Sequence, residues 1–205
     1  MAKLTHADIE DLLRRIILPF HNIERTLRLP SGDRRWENDA EHSWSLAFLA
    51  CSLAPQIDKS LNIGTICQFA VVHDIVEIHA GDTSMLREGQ HELSKEEREA
   101  KALAQIKEEF AHFPWIYETV EAYERKDTNE AKFVYALDKY IATAYDYIDE
   151  AKLFKEEKMT LEKYNQVFTE HRVKAHAHKA VGKYYDEVRA LLDAHPEYFH
   201  QPHEK

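Results

Sequence analysis

Apolar residues at Ile9, Leu12, Leu13, Ile16 and Ile17 recur at helical spacing, and Pro19 ends the run before a polar loop through Pro30, Ser31 and Gly32. Asn38 with Glu41 three residues later reads as a capping box, so a second helix is predicted from near Asn38 to near Pro55. A third is predicted from about Leu61 to Ile78, stopping at Gly81. Residues 88–90 read as loop. Ser94 with Glu97 caps a long charged helix reaching about Phe113, and Pro114 starts a shorter one through Tyr123. Glu130 to Lys152 and Leu161 to Leu192 complete the pattern, the latter with a break near Gly182. With five Gly and six Pro in 205 residues, this is an all-α chain, and no repeat or composition shift divides it into domains.

The helical pattern is informative where it is broken. Positions 42, 46, 49 and 53 form one stripe and read His42, Leu46, Leu49 and Leu53, so an imidazole heads an apolar line. The stripe Ile66, Ala70, His73 and Glu77 carries two ionisable groups, with Asp74 on the neighbouring row. Val134, Asp138, Ile141 and Tyr145 place a carboxylate among apolar neighbours. Read singly, His42 is a hydrogen-bonded core histidine, His73 and Asp74 are an interhelical pair, and Asp138 is a partner for Lys132, Lys139 or an arginine. Read together, two imidazoles and two carboxylates on three inward stripes suit a divalent cation, because buried acids are costly to ionise without compensation.

Charge narrows the partners. Asp and Glu number 37 against 27 Lys and Arg, a net charge of −10, which argues against a nucleic-acid polymer. A small anion is still allowed, because Arg25, Arg28, Arg34 and Arg35 fall within eleven positions and guanidinium groups grip phosphate oxygens in pairs. Arg25 and Arg35 are the candidate substrate-binding residues. Trp36 beside a helix start reads as a packing staple. His171, His176 and His178 read as surface histidines. The two cysteines, Cys51 and Cys67, lie in apolar runs and read as buried thiols in a reducing cytoplasm, and the longest apolar run, Leu46 to Ala54, is too short for a bilayer.

The order His42, then His73-Asp74, then Asp138 resembles the H…HD…D signature of the HD-domain superfamily of metal-dependent phosphohydrolases. The stretches WENDAEHSWSLAFLA and HDIVEIHAGDT are similar to the branch containing the bacterial 5′-deoxynucleotidases, and EAKFVYALD resembles the segment holding its last ligand. The likeness runs from about Ile23 to Asp149, with the helices of 160–192 appended to the same single domain.

The resemblance implies an HD-type helical bundle in which His42, His73, Asp74 and Asp138 bind one divalent ion (Mn, Co, Zn, Ni, Fe or Mg). It implies that Glu77, three residues after the HD pair, positions or activates the attacking water, and that Asp82 of the GD dipeptide joins the catalytic cluster. The deoxynucleotidases carry an Arg-Trp pair ahead of the first His. Here Ile23-Glu24-Arg25 stands at the comparable distance and Arg35-Trp36 lies six or seven residues before His42. The expected activity is hydrolysis of nucleoside 5′-monophosphates, the 2′-deoxy series included, by a homodimer. The alternatives are hydrolysis of a guanosine polyphosphate or cyclic nucleotide, a di-iron oxygenase using His79, His91 or His112 as further ligands, and a regulatory nucleotide-binding module. Retention of the four ligands with Glu77 and Asp82 disfavours the last.

Overall fold

The computed structural model describes residues 3–31, 33–81 and 94–201. Helix α1 (His6–Leu12) is capped by Thr5 and passes through a π-helical turn at Leu13–Ile17 into α2 (Leu18–Phe20). Strands β1 (Glu24–Arg28) and β2 (Trp36–Asn38) then pair antiparallel, with Glu24 opposite Asn38, Arg28 opposite Trp36 and an irregularity between. Helices follow: α3 (Asp39–Ile57), α4 (Ile63–Val72), α5 (Glu77–Ala80), α6 (Lys95–Glu109), α7 (Pro114–Glu124), α8 (Asn129–Ile148), α9 (Lys152–Glu156), α10 (Leu161–Val167), α11 (Thr169–Ala175) and α12 (Lys179–Asp193). The fold is all-α, and among the described residues that small hairpin is the one sheet.

Helix α8 is the axis of the bundle, packing against α3, α4, α7, α11 and α12. Its apolar stripe, Phe133, Val134 and Leu137, meets Leu46, Ala50 and Ala54 of α3 and Ile66, Phe69 and Ala70 of α4 in one buried cluster. A second cluster joins Ile16 and Phe20 to Val72, Ile75, Ile106, Phe110 and Val120, and a third gathers Phe154, Tyr164, Phe168, Leu192 and Phe199. Each such side chain contributes about 1.5–3 kcal/mol by burial. The capping boxes Asn38–Glu41 and Ser94–Glu97 form as the sequence predicts.

Several boundaries differ from expectation. The loop after Pro19 contains the hairpin, which Arg34 fastens to the bundle. Its backbone is left-handed at φ 55°, and its guanidinium holds Asp149 at the end of α8 through bonds of 2.6–3.1 Å. The helix expected from Leu61 to Ile78 is interrupted. His73 to Val76 forms tight turns closed by Ile75 N–H to Val72 O and Glu77 N–H to Asp74 O. His73 Nδ1 bonds Ala70 O at 3.0 Å, the carbonyl a continuing helix would offer to Asp74, and β-branched Val72, Ile75 and Val76 resist helix locally. The helix expected to reach Lys152 stops at Ile148, where Glu150 and Ala151 take positive φ. Gly182 lies within α12 instead of breaking it: a Cβ there would sit 2.7 Å from His176 Nδ1, so packing explains the glycine. Cys51 is half-buried and Cys67 exposed, both free, where buried thiols were expected, because α3 and α4 turn them toward an open cleft. The expected loop at 88–90 lies outside the described residues.

Asp146 on α8 is buried, and the Tyr164 hydroxyl donates to its Oδ2 at 2.8 Å. Burial pushes its carboxyl up to about 8, the Tyr164 bond and Arg189 opposing and Asp149 adding to the rise. An unfolded Asp titrates near ~3.9, so the folded chain holds a proton across the window between, and that contribution to stability is lost as pH rises through about 8. Asp146→Asn is expected to flatten the fall in urea midpoint between pH 5 and 8. An unchanged pH profile would place an ionised carboxylate at that position.

Candidate metal centre

Three elements converge where the first two hydrophobic clusters meet. His42 comes from the first turn of α3, His73 and Asp74 from the turn ending α4, and Asp138 from the middle of α8. His42, His73 and Asp138 are buried, and one donor atom from each lies within 4.8 Å of the other two. His42 Nε2 is 3.0 Å from Asp138 Oδ1, His73 Nε2 is 4.0 Å from that same oxygen and 3.0 Å from Asp74 Oδ2, and the two rings lie 5.3 Å apart. The structure thus brings together all four residues that the sequence singles out as ligands.

Each imidazole is oriented from behind. The His73 Nδ1 bond to Ala70 O turns Nε2 toward the acids. Buried there, Nε2 has no hydrogen-bond partner among the described residues, although Asp74 Oδ2 is at 3.0 Å. This sets a nitrogen donor beside the carboxylate oxygens of Asp74 and Asp138, the mixed donor set that a divalent ion takes. His42 Nδ1 lies 3.2 Å from Oε2 of the fully buried Glu37, a carboxylate–histidine arrangement of the kind that supports metal-ligating imidazoles. Two imidazole nitrogens and two carboxylates, held in place by neighbours that do not ligate, fit a divalent transition ion.

A second carboxylate group, Asp39, Asp74 and Glu77, adjoins the first, again with donor atoms within 4.8 Å of one another. Arg25 of β1 enters it, with Nη1 2.6 Å from Asp74 Oδ2 and 3.0 Å from Asp39 Oδ1 and Nε 3.8 Å from Glu37 Oε2. The predicted substrate-binding Arg25 is therefore at the centre, half-buried and turned into its acids. Arg35 is at the surface, its guanidinium on both oxygens of Glu41, and the Arg28 guanidinium lies 4.1 Å over the Trp36 ring. Glu77 is buried at the start of α5, its Oε1 4.0 Å from Lys95 Nζ. Asp82 and His91 lie outside the described residues. His79 faces Glu109 at 3.5 Å and His112 faces Asp8 at 3.5 Å, so neither joins the ligand group.

Charge shifts follow from these contacts. Burial would raise Asp138, but Lys139, His42 and His73 hold it well below the ordinary carboxylate range. Burial would raise Asp74 as well, and His73 and Arg25 outweigh it. Burial and Arg25 push His42 down, yet its bonds to Asp138 and Glu37 carry it up to about 9. Sequence reasoning missed Glu37 and Asp39. Both lie in the WENDAEH stretch, where acids at every second position of an extended segment entering a cap place 37 and 39 on one side.

The model of the HD domain family matches residues 20–180, and the chain belongs to that family. No curated protein matches it. The crystal structure of a predicted metal-dependent phosphohydrolase from Magnetospirillum magnetotacticum MS-1 is similar, with 30% identity over 95% of this chain and 98% of that one, and a TM-score of 0.74.

Removing Arg25 leaves Asp39 and Asp74 without their guanidinium. Arg25→Met is expected to cost about 3–5 kcal/mol in the chelated protein, read from urea denaturation, and added divalent ion is expected to recover part of it. An unmoved midpoint would show that the acids do not depend on this cation.

Proposed function

We propose that the chain is a metal-dependent phosphomonoesterase that hydrolyses nucleoside 5′-monophosphates, 2′-deoxy forms included, to nucleoside and orthophosphate. The observation that carries this reading is the convergence of His42, His73, Asp74 and Asp138, with both imidazoles oriented and Glu77 beside them. The family assignment and the similarity to a predicted metal-dependent phosphohydrolase support the reaction class. The nucleotide rests on the likeness of EHSW and HDIVEIHAGD to the 5′-deoxynucleotidases.

In this reading His42, His73, Asp74 and Asp138 hold one ion. A divalent cation bound there supplies positive charge that acidifies water and offsets charge on the phosphoryl oxygens. Arg25 already fills the second carboxylate group with a fixed positive charge, which supports one ion per chain over two. Glu77 accepts the proton of the attacking water as its oxygen bonds to phosphorus, and the ester oxygen leaves with a proton for which Asp82 is the proposed donor. Glu37 and Ala70 O keep the imidazole tautomers fixed throughout. Free thiols at Cys51 and Cys67 suit the cytoplasm, and no helix among the described residues is long and apolar enough to cross a membrane.

Glu77→Gln tests the assignment. Protein chelated and reloaded with each candidate metal is expected to hold one ion per chain with or without the substitution, while turnover on a nucleoside monophosphate panel falls about 10²–10⁴-fold in the variant. Full activity in Glu77→Gln would remove the residue from the chemistry, and a wild-type protein inert across the panel would overturn the substrate.

The same reading includes a homodimer. The tyrosines of α8, Tyr140, Tyr145 and Tyr147, are half-buried within their own chain and offer little to a partner, whereas α3 and α7 expose Trp44 at 69%, Phe48 at 65% and Trp115 at 48%. Trp44 and Phe48 stack 5.5 Å apart at the lip of an apolar cleft of about 820 Å³ between α1–α2, α3, α4 and the start of α7. A knob and a hole on one face make it self-complementary, as a two-fold contact between copies requires, and rings that each carry about 150–250 Å² supply much of an ~800 Å² footprint. Trp44→Glu with Phe48→Glu is expected to halve the mass seen by sedimentation. A wild-type monomer at micromolar concentration would refute the pairing.

A further inference from the structure

Asp138 presents two different faces. Its Oδ1 looks toward the imidazoles, while Oδ2 lies 2.5 Å from the ammonium of Lys139, the next residue on α8. A cation held by His42 and His73 on the Oδ1 side therefore leaves Lys139 in place on the other. Lys139 is 19% exposed and Lys95 40%, whereas the ligand side chains beside them are almost closed off. The two ammonium groups stand at the solvent margin of the centre.

Lys95 opens α6 and reaches back with Nζ 3.3 Å from Glu99 Oε1 and 4.0 Å from Glu77 Oε1. Its charge is felt at Asp74 and Asp138 across the site. His171 of α11, expected at the surface, is half-buried, with its ring against Phe168 and a buried Nδ1 that has no hydrogen-bond partner among the described residues. Burial first, then Lys139, Lys174 and Lys95, push its imidazole down to about 3, with Asp138 opposing. Helices α6 and α8 thus bring two ammonium groups to the carboxylates of the centre, Lys95 to Glu77 and Lys139 to Asp138.

Such a gathering repels itself unless anions balance it. Asp138 and Glu77 do so in the metal-free protein. A divalent ion draws the charge of Asp138 toward Oδ1 and loosens its hold on Lys139, so the cluster acquires an appetite for an anion once the centre is loaded. Phosphate monoesters carry close to two negative charges at neutral pH and offer several acceptor oxygens to ammonium donors.

We propose that Lys139 and Lys95 form the seat for the phosphoryl oxygens of the substrate. This rests on the phosphomonoesterase reading above and adds to it residues that neither the signature motif nor the ligand set names. Lys139 is a substrate-binding residue in this assignment, adjacent to the metal ligands and not one of them.

The test uses the metal-loaded full chain, with inorganic phosphate as the calorimetric probe and a nucleoside monophosphate as substrate. Lys139→Met is expected to weaken phosphate binding about 10- to 100-fold and raise KM by a similar factor, at unchanged metal content. Lys139→Arg is expected to restore most of both, and Lys95→Met, on a more exposed side chain away from the ligands, to show the same direction at smaller size. Phosphate affinity and KM equal to wild type in both methionine variants would overturn the seat while leaving the phosphomonoesterase reading intact. Loss of the metal from a folded Lys139→Met would also overturn it, making the lysine a support for Asp138. Lysine-dependent phosphate binding by a wild-type protein that cleaves no nucleoside monophosphate would support the seat and sink the functional reading instead.

Discussion

Burying carboxylates is the constraint around which this molecule is built. Glu37, Asp39, Glu77 and Asp138 are all closed off from solvent at the junction of the first two apolar clusters, and each ionised acid there would cost several kcal/mol if left alone. The surrounding structure answers with cations drawn from different parts of the chain: Arg25 from the hairpin, Lys139 from α8, Lys95 from α6, and His42, which shares a proton-bearing position between Asp138 and Glu37. Much of the architecture that is otherwise unexplained follows from this demand. The hairpin exists between two helices because Arg25 and Glu37 have to arrive from one strand each. Arg34 accepts a left-handed backbone because its guanidinium then locks that hairpin onto Asp149.

The two carboxylate groups are adjacent but not equivalent, and the difference lies in who can satisfy them. Asp39, Asp74 and Glu77 receive a covalently tethered guanidinium. His42, His73 and Asp138 receive Lys139 on the Oδ2 side of the aspartate, while the imidazole nitrogens face Asp138 Oδ1 and Asp74 Oδ2. Nitrogen donors beside carboxylates form a set that suits a divalent ion.

How much of this was readable from the chain alone depended on the range of the interaction. Caps at Asn38 and Ser94 and the proline start of α7 are local, and the sequence places them correctly. The inward positions of His42, His73 and Asp138 follow from the 3.6-residue period, which is why their convergence could be anticipated before any coordinates. The turn at His73–Val76 was missed because a side chain competing for Ala70 O leaves no mark on the periodicity, and uninterrupted apolar spacing reads as uninterrupted helix. Gly182 was misread for the opposite reason: its glycine answers a contact with His176 across a turn, and nothing local distinguishes that from a helix breaker. Glu37 and Asp39 were passed over because acids before a helix are ordinary N-terminal residues, and only the tertiary approach of Arg25 and His42 makes them part of the centre.

The partition of basic residues shows what the arginine cluster in the sequence was for. Four arginines within eleven positions suggest an anion site, yet in the folded chain Arg25 and Arg34 bind acids of distant helices, Arg35 binds Glu41 and Arg28 covers Trp36. All four are engaged in holding the hairpin and its charges together. In the proposed seat anion recognition falls to Lys95 and Lys139, which sequence clustering does not reveal because they come from two separate helices. This division suits the chemistry of the two side chains. A guanidinium fork with fixed geometry is best used where the partner is a carboxylate of the fold that never leaves, and a mobile ammonium on a flexible stem is better matched to a substrate that must arrive, change shape during the reaction and depart.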